Sequence, residues 1–417
     1  MARNYLLGLQ EIGFPVRAVN LYADHTPLLD PEGGARIKAL MRASAGWRPI
    51  EVVHFAPEVY PQVRTTYAAA RIGCTIFETD RIPDHWARPC NQMDEVWVPS
   101  EFNRETFARS GVQRDKIRVI PYSVDTDFFK AIPEKFDLEG LKTFRFLYVA
   151  FWDWRKGFDL LLEAYFREFT IHDDVSLIIK TSCPTQGGEC ASGEDIRAVM
   201  MSCIQGKVDL SRTDLPHLCV VTRVLSQEEL RRLYNTCDLY ISTDRANGWG
   251  MPCMEAMAMG KPASTIDWSG STEFMKEGNS LLIRPMGRLV PVDERLAAAR
   301  PLYRGHQWAE VSVDEVRRVM RFAFEDRAKL QEIASKGMEY VRENHSLKAV
   351  AYKLRECALR VELKRRGIQG KWLWSWTKRK LLPEDSRRRM IYDRLLVPLK
   401  GHAAKLLQRA SVREALR

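Results

Sequence analysis

The residues best suited to chemistry lie in one run, Asn247-Gly248-Trp249-Gly250-Met251-Pro252-Cys253-Met254-Glu255-Ala256-Met257-Ala258-Met259-Gly260-Lys261-Pro262. It follows the apolar stretch Leu239–Ser242, which reads as a buried strand. A glycine-bearing turn then enters a helix with Pro252 at or near its first position. The N–H groups that open such a helix have no partners inside it, and with the helix dipole they favour a phosphate. Gly248 and Gly250 let the backbone approach a ligand closely. Glu255 lies about one turn inside the helix, where its carboxylate can accept bonds from the two hydroxyls of a ribose. Many strand-to-helix turns with this spacing bind nothing, so the fragment alone leaves phosphate binding open.

A second acidic group, Glu78-Thr79-Asp80-Arg81, follows the strand expected over Cys74–Phe77. Glu78 and Asp80 can face a cleft from there, and Arg81 can meet an acceptor phosphate or carboxylate. The competing reading is a capping and turn cluster ahead of Pro83. His54 ends another expected strand, a place where a lone His is more often structural. Asp125-Thr126-Asp127 has the spacing of an Asp-x-Asp metal motif, yet it falls in a turn far from Asn247. Cys183 and Cys190 have no His at zinc-site spacing after them. These spacings single out no metal site.

The elements that must position these groups alternate. Strands are expected over Ile50–Phe55, Cys74–Phe77, Glu95–Val98 and Ile117–Ile120. A helix enters at Ser100 as N-cap and ends at Gly111. Residues 126–142 lose periodicity and read as a linker. A second series follows: strands Phe144–Phe151, Val175–Ile179, Leu218–Thr222, Leu239–Ser242 and Pro262–Thr265, with helices Phe158–Phe169, Gln227–Cys237 and Pro252–Met259. Such alternation predicts two doubly wound α/β domains, which bind ligands beyond the carboxyl ends of their strands. The spans expected are 1–130, 140–340, a crossing helix at 341–366 and a basic extension at 367–417. The beginning is unusual. Asn4–Gln10 and residues 36–44 read as helices and Gly13–Val19 as a turn into a strand, with no opening strand and Gly-rich turn before them. The first domain is therefore expected to lack its first strand, through a late start or a real shortening.

The run at Asn247 resembles the signature of GT-B fold retaining glycosyltransferases related to family 4, the glycosyl transferases of group 1. That signature is an acid, seven residues, then Glu and Ala-Met-Ala-x-Gly-x-Pro. Four further stretches resemble the family in order: Asp94–Asn103, Ile117–Asp125, Arg155–Tyr165 and Gly270–Glu273. The resemblance covers roughly residues 75–350. It implies transfer of a sugar from a nucleoside diphosphate sugar to an acceptor hydroxyl, without a bound metal. It places Lys156 on the donor diphosphate, where a compact ammonium suits two phosphates, and Glu255 on the ribose. The backbone of Gly248, Trp249, Gly250 and Met251 meets the donor. Asn247 stands where the family has an acid at the donor sugar, and it can hydrogen-bond hydroxyls without supplying negative charge. Phe151 stands where the family has an Arg; either Arg155 replaces it or the Trp152-Asp153-Trp154 turn shifts the spacing. The family's His near the sugar is absent, which brings forward Glu78 and Asp80.

Composition adds bounds. The 417 residues are 45% hydrophobic and 28% charged, an ordinary globular balance. The nine cysteines are scattered with no CxxC pair, as in a reduced, cytoplasmic protein. No apolar run is long enough to cross a membrane. The net charge is +10, while 364–417 holds 16 Lys/Arg and 4 Asp/Glu; 16 − 4 is +12, so the rest is near −2. Trp372, Trp374 and Trp376 and several leucines lie among those cations. That mixture suits an anionic membrane surface. Nucleic acid, a solvated tail and an oligomer contact are alternatives. Three rivals to a transferase remain open: an inactive nucleotide-sugar binder, a GT-B epimerase, and a nucleic-acid or membrane binder acting through the tail.

Overall fold

Short apolar runs that cannot shield both faces by themselves gather here into two parallel sheets flanked by helices. A computed structural model describes residues 1–21, 31–44, 48–63, 67–182 and 193–365. It divides into two units, Met1–Ala351 and Tyr352–Arg417, and both sheets belong to the first. In the second unit only the last turns of one helix, up to residue 365, are described, so the basic extension lies outside the described residues.

The first sheet holds β1 (Ile50–His54), β2 (Ala70–Cys74), β3 (Glu95–Val98) and β4 (Ile117–Val119), all parallel, in the order β1-β2-β3-β4. Its helices are α1 (Ala2–Glu11), α2 (Pro31–Arg42), α3 (Ala87–Asn91) and α4 (Glu101–Arg109). Ser100 caps α4 by accepting the Asn103 N–H, as its sequence predicts. The second strand runs 70–74 rather than 74–77. Gly73 hides it from a propensity reading, and a Cβ there would lie 2.3 Å from the Tyr60 ring. No strand forms over 13–19. Gly13 does turn the chain at φ 67°, but the next residues make no ladder, and among the described residues no strand precedes β1.

The second sheet holds β5 (Phe144–Val149), β6 (Val175–Lys180), β7 (His217–Val221), β8 (Leu239–Ile241), β9 (Ala263–Ile266) and β10 (Leu281–Ile283). Its six parallel strands are ordered β10-β9-β8-β5-β6-β7. Strand order therefore reverses between β5 and β8, and the loops leaving those two parallel strands flank a crevice. The helices are α5 (Phe158–Glu168), α6 (Gly193–Ile204), α7 (Gln227–Thr236), α8 (Met251–Ala258), α9 (Glu294–Ala299), α10 (Val313–Glu325), α11 (Arg327–His345) and α12 (Leu347–Arg365). Ser226 and Glu229 form a full capping box on α7. An antiparallel pair, β11 (Leu289–Pro291) with β12 (Gln307–Ala309), sits between β10 and α10. The single helix expected to cross back is two helices parted at Ser346. There the Val124 N–H donates to His345 O at 2.9 Å, which returns the chain to the first domain.

Candidate active site

Three loops meet at the crevice, and they touch through backbone. Gly157 opens α5 at φ 62°, where a Cβ would lie 2.2 Å from the Thr243 carbonyl oxygen in the loop after β8. The Arg245 N–H donates to Arg155 O at 2.8 Å, tying the same two loops. The loop after β9 closes from the third side: a Cβ on Gly270 would lie 1.8 Å from Gly248 O. Gly250, at φ 89°, is the N-cap of α8. A backbone this tight explains the spacing of the glycines without reference to a ligand.

Lys156 and Asp244 face each other across these loops, Nζ to Oδ2 at 2.5 Å, with side chains 21% and 6% exposed. The Tyr148 hydroxyl also bonds Asp244 and lies 2.6 Å from Lys156 O. Burial first, then the Asp244 carboxylate, holds the Tyr148 phenol well above its ordinary range, so it stays a donor. Arg155 donates to Ala246 O at 2.8 Å and approaches Glu78 of the first domain at 3.7 Å. Burial pulls against its charge, but Glu78, Tyr303, Asp244 and Asp153 together hold it raised. Phe151, at the place where the family has its Arg, is 66% exposed.

Asn247 is buried; its N–H donates to Ser269 Oγ at 3.0 Å and its carbonyl accepts from the Gly270 N–H at 2.8 Å. Its Oδ1 meets no protein donor, which marks it as a group with bonding capacity to spare. Gly248 faces the first domain: a Cβ there would lie 2.4 Å from Ile76. The Trp249 side chain turns inward among Tyr122, Phe274 and His345. Met251 begins α8 and Glu255 follows on it, accepting from the Tyr234 hydroxyl at 2.7 Å.

Burial pushes the Glu255 carboxyl up to about 7 against the opposing pull of Tyr234 and Arg3. The folded protein then binds more protons than the unfolded chain between the ordinary value of 4.5 and about 7, so stability falls as pH rises through that window. Glu255→Gln is expected to unfold later than the wild type at about pH 8, by on the order of 1–3 kcal/mol, and to match it near about pH 4. Melting curves at both pH values check this; a less stable Gln variant at the higher pH refutes it.

The remaining candidates separate. Asp80 is not in the Lys156 group: its Oδ1 accepts the Gln307 N–H at 2.6 Å and its Oδ2 faces Arg81. That geometry serves a turn, because a carboxylate at this loop caps backbone. Arg245 and Asp244 do not pair with each other; Arg245 holds Asp159 through two bonds of 2.7 Å. Asp125 caps the N–H groups of Asp127 and Phe128. His54 stacks on Tyr122, and burial pulls its imidazole down to about 4. Cys183 and Cys190 lie outside the described residues. Sequence reading missed Tyr148, Tyr234 and Tyr303, since each meets its acidic partner across a long stretch of chain and no local pattern records that.

The comparisons agree with this layout. No curated protein matches the chain. Among solved structures, sucrose-phosphate synthase from Thermosynechococcus elongatus is similar at TM-score 0.57 and 15% identity, over 76% of this chain and 74% of that one. A glycosyltransferase from Rickettsia africae ESF-5 is similar at TM-score 0.57 and 14% identity, over 86% and 94%. Anabaena HepE in complex with UDP is similar at TM-score 0.51 and 15% identity, over 74% and 78%. These likenesses establish the GT-B fold. Residues 143–300 match the family model described as glycosyl transferases group 1. That match spans β5, β8 and the loops bearing Lys156 and Asn247–Glu255.

Proposed function

We propose that the chain transfers a hexosyl group from a nucleoside diphosphate sugar to an acceptor hydroxyl, with retention at the anomeric carbon. The bond from that carbon to the diphosphate breaks and its electron pair leaves with the nucleotide. A bond to the acceptor oxygen forms on the same face, and the acceptor proton passes to the departing diphosphate. The observation that carries the reading is that the loop bearing Lys156, paired with Asp244, and the loop leading into the Gly250-capped start of α8 leave the adjacent strands β5 and β8, where strand order reverses. A cation and unpaired amides on one side of a crevice stabilise a leaving diphosphate. Glu255 holds the ribose, Asn247 the donor sugar, and Glu78, beside Arg155, faces the reacting sugar from the first domain. No resident metal is invoked.

The setting proposed is the cytoplasm, in the building of a cell-surface polysaccharide, glycolipid or other glycan. Among the described residues no helix is long and apolar enough to cross a membrane. The extension 367–417 is assigned to an anionic bilayer surface. Flotation with anionic vesicles should depend on that extension and weaken with salt; equal recovery without it removes the assignment.

A thermal-shift panel of UDP-, GDP- and ADP-sugars tests the donor, with UDP-sugars first because HepE holds UDP. A ligand at 100 times its Kd stabilises by about 2.7 kcal/mol. No shift with any member overturns the reading. Asn247, lacking a charge for a developing oxocarbenium ion, favours one second reading, a nucleotide-sugar binder without turnover. Shifts without nucleotide release would favour that reading.

A further inference from the structure

Between β10 and α10 the chain leaves the second sheet over residues 284–312, and this excursion is bonded to both domains. On the first-domain side, the Asp80 N–H donates to Gln307 O at 3.2 Å while Gln307 N–H donates back to the Asp80 carboxylate. Thr79 Oγ1 lies 2.6 Å from His306 Nδ1, and the Tyr303 hydroxyl donates to Glu78 at 3.1 Å. The Phe77 ring packs 5.4 Å from both Tyr303 and His306. Beneath these bonds Val292, Leu296, Tyr303 and Trp308 join Ile82 and Trp86 in one continuous apolar core.

The same excursion grips the loop that carries Lys156. Arg300 pairs with Asp153 at 3.1 Å, and the Asp153 side chain is only 5% exposed. The Arg295 guanidinium lies 3.5 Å from the centroid of the Trp154 ring. Interfaces between domains of one chain are usually modest and polar, which lets the domains hinge. An interface made of a shared apolar core resists hinging, because opening it exposes that core to water.

We propose that residues 284–312 are a clasp that fastens the 77–80 loop of the first domain to the β5–α5 loop of the second, independently of any donor. The clasp keeps Glu78 beside Arg155 before a substrate arrives. Donor entry and nucleotide exit then proceed by local loop motion instead of a wide swing of the domains.

Hydrogen exchange of the full chain without nucleotide tests this. The Asp80 and Gln307 amides should be protected in the wild type. In Asp80→Ala/Tyr303→Phe they should exchange at least about tenfold faster, while β6 keeps its protection and the radius of gyration from solution scattering grows. Wild-type amides at 80 and 307 exchanging like an open loop overturn the clasp. So does a folded double variant with unchanged exchange and radius. If the double variant fails to fold, the wild-type amides alone decide.

Discussion

Lys156→Ala should abolish the thermal shift given by the best nucleotide sugar and lower transfer by at least about 100-fold. Two effects add. The ammonium proposed to meet the diphosphate is gone, and a charge-assisted bond of this kind contributes about 1.5–3 kcal/mol. The Asp244 carboxylate, 6% exposed, is left beside the incoming anion with the Tyr148 hydroxyl and the charge of Arg155 to hold it. Removing one partner of a largely buried pair also destabilises the fold, by about 3–5 kcal/mol at the buried limit and less here, because Lys156 is partly solvated. The double variant Lys156→Ala/Asp244→Asn separates the two consequences. Its melting temperature should recover toward the wild type while transfer stays low. Recovery of transfer together with melting would mean that Lys156 only supports the fold.

Gly157→Ala should cost about 3 kcal/mol or more in stability, read as a lowered midpoint in a denaturant titration. The backbone there is left-handed, at φ 62°, and the added methyl would lie 2.2 Å from the Thr243 carbonyl oxygen. Neither problem can be relieved by a side-chain rotation. The loop must move, and Lys156 moves with it, so turnover should fall as well. Ala at Gly140, at φ 69° but with no atom within 4 Å of the added carbon, should cost only the conformational part. Equal losses at the two positions would show that loop-on-loop contact is not what fixes Gly157.

The contrast between these glycines bears on what a sequence can disclose. Strand and helix order in the second sheet was legible because each run has its own period and punctuation: Ser226 announces α7 and Gly260 follows α8. The run Asn247–Glu255 stood out for the same reason, being contiguous. The partners of its residues were not. Tyr148 reaches Asp244 across 96 positions and Tyr303 reaches Glu78 across 225, distances over which composition and spacing carry no signal. Asp80 read as a cleft residue because charge at a strand end looks alike whether it meets a substrate or a backbone amide. The excursion at 284–312 gave no periodic pattern at all, since its helix and strands are short and its order comes from what it touches.

The pairing of cations in the crevice has a kinetic side. Lys156 lies on Asp244 and Arg155 lies near Glu78, so in the proposed reaction an arriving diphosphate would trade places with carboxylates already in position. The same carboxylates stand ready once the sugar has departed. In that reaction they would draw the two cations back and loosen the hold on the spent nucleotide, so weaker capture at the start of each cycle would be matched by faster clearance at its end.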